Sequence, residues 1–229
     1  MKHLSGILLL FVFTSADAAL LSRAGGAAYY DTVLDLTWLA DTNWAQTSSY
    51  DADGLMTWNQ AQTWVSTLNT GAGHLGTTDW RLPTVTDSGT PGCNYAFEYT
   101  DCGYNVDTST GEMASLFYDT LGNLAYLDGD GIGPQPGWGL TETGPFTNFQ
   151  PYLYWSGTEY VTHTDFAWGF DFYNGNQFSG DKLDYYNAWA VRSGDIAAVP
   201  VPAAAWLFGS ALMGLVSLRR VRSRVNPVV

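Results

Sequence analysis

Residues 166–175 read FAWGFDFYNG, and this stretch decides the fold class that the sequence predicts. Bulky aromatic residues occupy every second position, which is the period of a β-strand. Asn174-Gly175 follows, and this dipeptide is typical of a tight hairpin turn. The stretch therefore predicts an antiparallel hairpin late in the chain. The aromatic positions are Phe166, Trp168, Phe170 and Phe172.

The strand period also appears at both ends of the domain. Residues 29–38 contain two short strand-like pieces, in which Leu36 and Trp38 alternate with polar residues. Residues 188–192 predict a final strand, in which Trp189 and Val191 alternate with smaller or polar side chains.

Two helices are predicted before the sheet. Thr57 with Gln60 and Ser109 with Glu112 form capping boxes, and apolar residues at helical spacing follow each pair until a glycine. Two early helices and a late antiparallel sheet place the domain in the α+β class. The apolar faces are Trp58, Ala61, Val65 and Leu68 in the first helix and Met113, Leu116, Phe117 and Leu121 in the second.

The two chain ends carry targeting signals. Lys2, the apolar run 7–13 and the small-residue site Ala16-Asp17-Ala18 predict a signal peptide over 1–18. Near the C-terminus, residues 203–218 are apolar and predict a transmembrane helix, although sixteen residues also suit a buried core helix. An arginine cluster favours the membrane and a cytoplasmic C-terminus. The cluster consists of Arg219, Arg220, Arg222 and Arg224.

The exported part, residues 19–198, has the length of one domain and is strongly acidic. Without the signal peptide and the arginine cluster it keeps 21 acidic and four basic residues, a net charge near −17. This charge disfavours nucleic acid as a partner.

Cys93 and Cys102 are the only cysteines, and an even pair in an exported chain predicts a disulfide. Closing a loop this short contributes about 2–3 kcal/mol in the chain-entropy model. The bridge is expected to constrain a long surface loop.

Asp128-Gly129-Asp130-Gly131 and Asp51-Ala52-Asp53-Gly54 are acidic fragments with two interpretations. Alternating carboxylates before a glycine can hold Ca²⁺, and Asp128 and Asp130 are the better candidates. The same residues are also typical of tight turns, and neither fragment continues with EF-hand spacing.

Trp80 and Arg81 are interpreted as a structural clamp, because Arg81 is one of few bases in an acidic domain and suits an ion pair; contact of Arg81 with a ligand is the alternative. Trp155 and Trp168 are expected in the core, whereas Trp138, Tyr185 and Tyr186 could stack on a saccharide. The mature chain holds two histidines and no GxSxG, HExxH or P-loop motif, so we expect no catalytic site.

The stretch VPVPAAAWLFGSALMGL, with the arginines after it, resembles the PEP-CTERM sorting signal of Gram-negative bacteria. The resemblance implies a sorting segment over 199–224 and an exosortase as processing partner. Cleavage is expected near Val199, Pro200, Val201 and Pro202, which would release the domain from the inner membrane to the cell surface or beyond.

The mature region resembles the Lcl C-terminal-like domain family, whose members are mostly exported proteins of unknown function. The resemblance implies a fold similar to C-type lectin-like and formylglycine-generating-enzyme domains, with paired first and last strands. The segments that carry it are YYDTVLDLTWLAD, GLMTWNQAQTWVSTLN, DWRLP, EMASLFY, YWSGTEY, AWGFDFYNGNQ and WAVR.

Together these observations predict an exosortase-sorted surface or extracellular-matrix protein. Its domain is expected to be a non-catalytic binding module, with extracellular polysaccharide as the ligand class. The alternative is a secreted hydrolase that acts on exopolysaccharide, since the many carboxylates of the chain could include a catalytic pair.

Overall fold

The computed structural model describes residues 20–88 and 101–196. The predicted signal peptide, Cys93, the sorting segment 199–224 and its arginines lie outside these residues. Within the described ranges, no helix has both the length and the apolar character that a membrane crossing requires.

The domain is α+β, as predicted, and contains two sheets and short helices. The strands of the first sheet are β1 (Leu20–Arg23), β2 (Ala28–Asp31), β3 (Leu36–Leu39) and β10 (Val191–Ser193). They lie in the order β1-β2-β3-β10, and the sheet is antiparallel throughout.

The strands of the second sheet are β4 (Leu55–Met56), β5 (Gly103–Tyr104), β6 (Leu153–Glu159), β7 (Phe166–Asp171), β8 (Asn176–Asp181) and β9 (Tyr186–Asn187). They lie in the order β4-β9-β6-β7-β8-β5, and only the β6–β9 pair is parallel. The helices are α1 (Trp44–Thr47), α2 (Trp58–Leu68) and α3 (Glu112–Ser115), and a π-helical turn over Leu116–Thr120 continues α3.

The predicted hairpin is confirmed as β7 and β8, joined by a turn that ends at Gly175. Its burial does not alternate, because residues from Ala167 to Phe170 are all buried. Both edges of β7 are covered because it lies inside the sheet, between β6 and β8. Trp168 packs in a small apolar cluster with Val85 and Cys102, separate from the main core.

The predicted final strand is shorter than expected. Only Val191–Ser193 form β10, while Ala188, Trp189 and Ala190 connect β9 of the second sheet to β10 of the first. The expectation that the first and last strands pair is wrong. β1 and β10 are opposite edges of one sheet, because β2 and β3 lie between them.

The first predicted helix is confirmed with its capping box. The Thr57 hydroxyl accepts a hydrogen bond from the backbone N–H of Gln60 at 3.4 Å. The side-chain oxygen of Gln60 accepts one from the backbone N–H of Thr57 at 2.9 Å. The prediction of a second capping box, formed by Ser109 and Glu112, is wrong. Gly111 precedes α3, Ser109 lies in a 3₁₀ turn capped by Asp107, and the Glu112 carboxylate bonds Arg81 instead of the helix terminus.

Trp189 is the centre of the aromatic core between the two sheets. Its ring lies 4.7 Å from Trp38, 4.8 Å from Phe146 and 5.1 Å from Phe149. Its indole N–H donates to the Leu39 carbonyl at 2.8 Å, so this buried donor is satisfied. Residues 188–190, which cross from the second sheet to the first, are therefore held in place by aromatic packing and by a hydrogen bond.

Gly175 makes the β7–β8 hairpin possible, and its replacement tests this fold. At its φ of +77°, an alanine Cβ would lie 2.9 Å from Phe117 and 3.0 Å from the Ala125 backbone. We expect Gly175→Ala to lower the free energy of unfolding by about 3 kcal/mol, from left-handed strain plus overpacking. Chemical denaturation measures this loss.

Gly76→Ala is the matched control, since Gly76 has a φ of +76° but no atom within 4 Å of the position that an alanine Cβ would take. Gly76→Ala should lower the free energy of unfolding only through left-handed backbone strain, by about 1 kcal/mol. Equal losses for both variants would contradict the packing of the hairpin against Phe117.

Candidate functional site

An open pocket of about 390 Å³ lies beside α1, β4 and β9. We call it the amide pocket, because four of its lining residues carry side-chain amides. Its lining is Asn43, Gln46, Asp53, Leu55, Gln150, Pro151, Tyr152 and Asn187.

The second sheet fixes one wall of the amide pocket. Leu55 of β4 pairs with Asn187 of β9, and Asn187 also pairs with Tyr154 of β6. The Asn187 side chain is buried, and its amide N–H group reaches the Leu153 carbonyl at 3.4 Å. The position of this amide is therefore set by three adjacent strands.

The turn before α1 fixes another part of the lining. The Asn43 side chain donates to Gln46 Oε1 at 2.9 Å, and the Asn43 N–H donates to the Asp41 carboxylate at 2.9 Å. Its Oδ1 packs directly against Gly54, where an added Cβ would lie 1.9 Å away. Glycine is required there, since any side chain would displace Asn43.

The lining of the pocket is rich in unused hydrogen-bond acceptors. Asn43 Oδ1 has no partner among the described residues, but it is fully buried against Gly54 and is not open to a ligand, so the available acceptors lie on other side chains. Asp53 accepts the Leu55 N–H through Oδ1 only, and Gln150 uses its amide N–H₂ to reach the Asn148 carbonyl at 3.1 Å. Asp53 is the single charged residue in the lining, so the site favours donors and lacks a cation for an anionic ligand.

Tyr152 supplies an aromatic surface at the pocket, with 45% of the residue exposed. Tyr186, named from the sequence as a stacking residue, lies on Trp155 at 4.3 Å between ring centroids. Burial raises the pKa of Tyr186, and its hydroxyl donates to Asp184. Tyr186 therefore supports the sheet, while Tyr152, which the sequence did not single out, is available to a ligand.

The other two sequence-predicted stacking residues lie apart from the pocket lining. Tyr185 is 58% exposed. Trp138 is half-buried and packs edge-on against Tyr126 at 4.8 Å and Tyr173 at 5.2 Å. Trp155 and Trp168 are buried in the core, as expected.

Trp80 and Arg81 link three elements. Asn69 at the end of α2 bonds the Trp80 backbone at both N–H and carbonyl, each at 2.8 Å. The Arg81 backbone pairs with Val191 of β10. Its guanidinium contacts both oxygens of Glu112 at 2.7 Å, so the pair ties the α2–β10 region to α3.

Both acidic fragments form turns in the structure. Asp128 Oδ1 accepts the N–H groups of Asp130 and Ile132, and Asp51 Oδ1 accepts those of Asp53 and Gly54. Within residues 20–88 and 101–196, no three His, Cys, Asp or Glu side chains are grouped to hold a metal ion. The turn interpretation accounts for these contacts.

Cys102 is buried and disulfide-bonded. Cys93, the other cysteine of the chain, lies outside the described residues, so the pairing with Cys93 stays a prediction.

The Arg81–Glu112 pair should contribute more stability than a surface pair. Glu112→Ala would leave Arg81 and the Thr84 N–H without their shared acceptor, so we expect a loss of about 2 kcal/mol in unfolding free energy. The control is Asp79→Asn, because the Asp79 side chain is 52% exposed in its pair with Arg192. That change should cost less than about 1 kcal/mol.

Urea unfolding of the two variants measures the difference. If Asp79→Asn lowers the free energy of unfolding as much as Glu112→Ala does, the Arg81–Glu112 pair contributes no more stability than an exposed ion pair.

Comparison of the chain with protein-family models, with curated proteins and with solved structures found no match. The chemistry of the amide pocket is therefore the basis for assigning a function.

Proposed function

We propose that this chain is an exported, non-catalytic protein that binds neutral polysaccharide in the amide pocket. The main support is a combination of three features of the lining: the unused acceptor oxygens of Asp53 and Gln150, the exposed ring of Tyr152 and the absence of a basic residue. Sugar hydroxyls are donors that these acceptors can receive, and the apolar face of a sugar ring can pack on tyrosine.

The charge of the domain supports a neutral ligand. Each arginine and lysine side chain in the described ranges is already paired with a carboxylate: Arg23 with Asp195, Arg81 with Glu112, Lys182 with Glu159 and Arg192 with Asp79. Binding an acidic polysaccharide would place its charges in a strongly negative field without a free cation to offset them.

The cellular part of the proposal rests on the sequence. The precursor is held in the inner membrane by 203–218, an exosortase cleaves near Val199–Pro202, and the domain reaches the cell surface or the extracellular matrix. The α+β architecture is compatible with a C-type lectin-like domain, which is the fold that we propose for residues 19–198.

The alternative, a secreted hydrolase acting on exopolysaccharide, has weaker support. A second pocket of about 380 Å³ contains Glu112 and Asp119 among hydroxyl groups. Both oxygens of Glu112 are occupied by Arg81 and Thr84, which leaves this carboxylate poorly placed to exchange a proton with a sugar.

An array of neutral and acidic polysaccharides, probed with the full-length protein, tests the proposal. We expect binding to neutral polysaccharides that persists in EDTA, and about a tenfold loss of affinity in Tyr152→Ala, which removes the stacking surface. Tyr173→Ala is the matched control, since Tyr173 is 54% exposed and lies outside the pocket lining.

Binding to acidic polysaccharides alone, or equal effects of the two tyrosine variants, would contradict the amide pocket as the site. Release of reducing ends from the array sugars would instead support the hydrolase.

A further inference from the structure

Another cavity is lined in part by Trp44, the residue that follows Asn43 of the amide pocket. It has a volume of about 250 Å³, and Asp41, Trp44, His74, Leu75 and Thr147 contribute to its lining. We call it the Trp44–His74 cavity. An apolar cavity of about 150 Å³ can hold one benzene ring, so this space is sufficient for a single larger ring.

Aromatic packing holds the imidazole in place in this cavity. The His74 ring lies 5.1 Å from the Trp44 ring and 6.1 Å from the Trp80 ring. The Trp80 indole N–H donates to the His74 carbonyl at 2.9 Å, which fixes the backbone as well. His74 is therefore a positioned side chain, not a mobile loop residue.

The cavity can both donate and accept hydrogen bonds. Burial lowers the pKa of His74, so the imidazole is neutral near pH 7 and offers one donor and one acceptor. Within the described chain, neither ring nitrogen of His74 has a hydrogen-bond partner. Indole and aliphatic walls, a neutral donor-acceptor group and the Asp41 carboxylate suit a hydroxylated neutral ring better than an anionic ligand.

The two cavities share two stretches of chain, since residues 41–46 and 147–152 each contribute to both linings, and we call these two stretches the polar ridge. Asn43 of the amide pocket and Trp44 are consecutive, so their Cα atoms are about 3.8 Å apart. On the facing segment, Thr147 bonds the backbone of Ala40 and Thr42, and Gln150 follows three residues later. The Asn148 side chain crosses the ridge to Asp41 at 2.8 Å.

We propose that the Trp44–His74 cavity is a second ring-binding subsite of the same groove. The ligand is then a linear neutral polysaccharide that crosses the ridge and places one sugar ring in each cavity. This inference rests on the proposed function and specifies that the protein recognises the interior of a chain, not a single sugar or a chain end.

Two variants test the subsite without opening the core. His74→Phe keeps the aromatic packing between Trp44 and Trp80 and removes both ring nitrogens. Ala27→Leu adds volume to the cavity from an exposed lining position. Ser66→Leu adds the same kind of bulk on the exposed face of α2 and is the control.

The probe is the neutral polysaccharide that binds the full-length protein most strongly on the array, cut into oligomers of about one to eight sugar units. Calorimetry should show affinity rising with length until both subsites are filled, because the second contact is intramolecular. Ala27→Leu and His74→Phe should each weaken binding of long oligomers about tenfold and leave the shortest binding oligomers unaffected. Tyr152→Ala should weaken both.

The possible results distinguish a failure of the second subsite from a failure of the proposed function. Length-independent binding, or long-oligomer affinity unchanged in both cavity variants, overturns the second subsite while the amide pocket stands. Absence of binding to every neutral polysaccharide overturns the proposed function and the subsite with it. A loss in Ser66→Leu equal to that in Ala27→Leu also overturns the subsite.

Discussion

The contact of Trp189 with the two sheets is the interaction on which the rest of the domain depends. The chain leaves the second sheet at Asn187 and enters the first at Val191, so the side chain between them must fill the space where the sheets meet. Its ring meets Trp38, Phe146 and Phe149, and burial of such large aromatic surfaces dominates core energetics. The same crossing places Asn187 in the wall of the amide pocket, so core packing and site geometry share one segment.

The charge distribution of this domain is determined by its small number of basic side chains. Four arginine and lysine residues stand among many carboxylates in the described chain, and each is paired. Arg192 lowers the pKa of Asp79, and Arg23 lowers that of Asp195, through direct hydrogen bonds. Exposed pairs of this kind contribute at most about 1 kcal/mol each. Their larger effect is on recognition, since none of these four cations remains free to attract an anionic ligand.

Local signals in the sequence predicted the elements that local forces determine. The Thr57–Gln60 capping box and the Asn174-Gly175 turn depend on neighbours in the chain, and both are confirmed. The Ser109–Glu112 pattern failed because a distant partner, Arg81, takes the Glu112 carboxylate. The amide pocket could not be predicted, because its walls come from segments that only the folded sheets bring together. Asn, Gln and Tyr residues have no distinctive spacing when they lie far apart in the chain.

The short crossing from Asn187 to Val191 also decides how the domain would carry tension. A force applied at the amide pocket loads Asn187, and Ile196 follows nine residues later in the chain. A pull between Asn187 and Ile196 therefore runs along the chain through Trp189 and the short strand Val191–Ser193. Because Trp189 lies on this path and packs against Trp38, Phe146 and Phe149, resistance to such a pull depends on the same aromatic contacts that join the sheets.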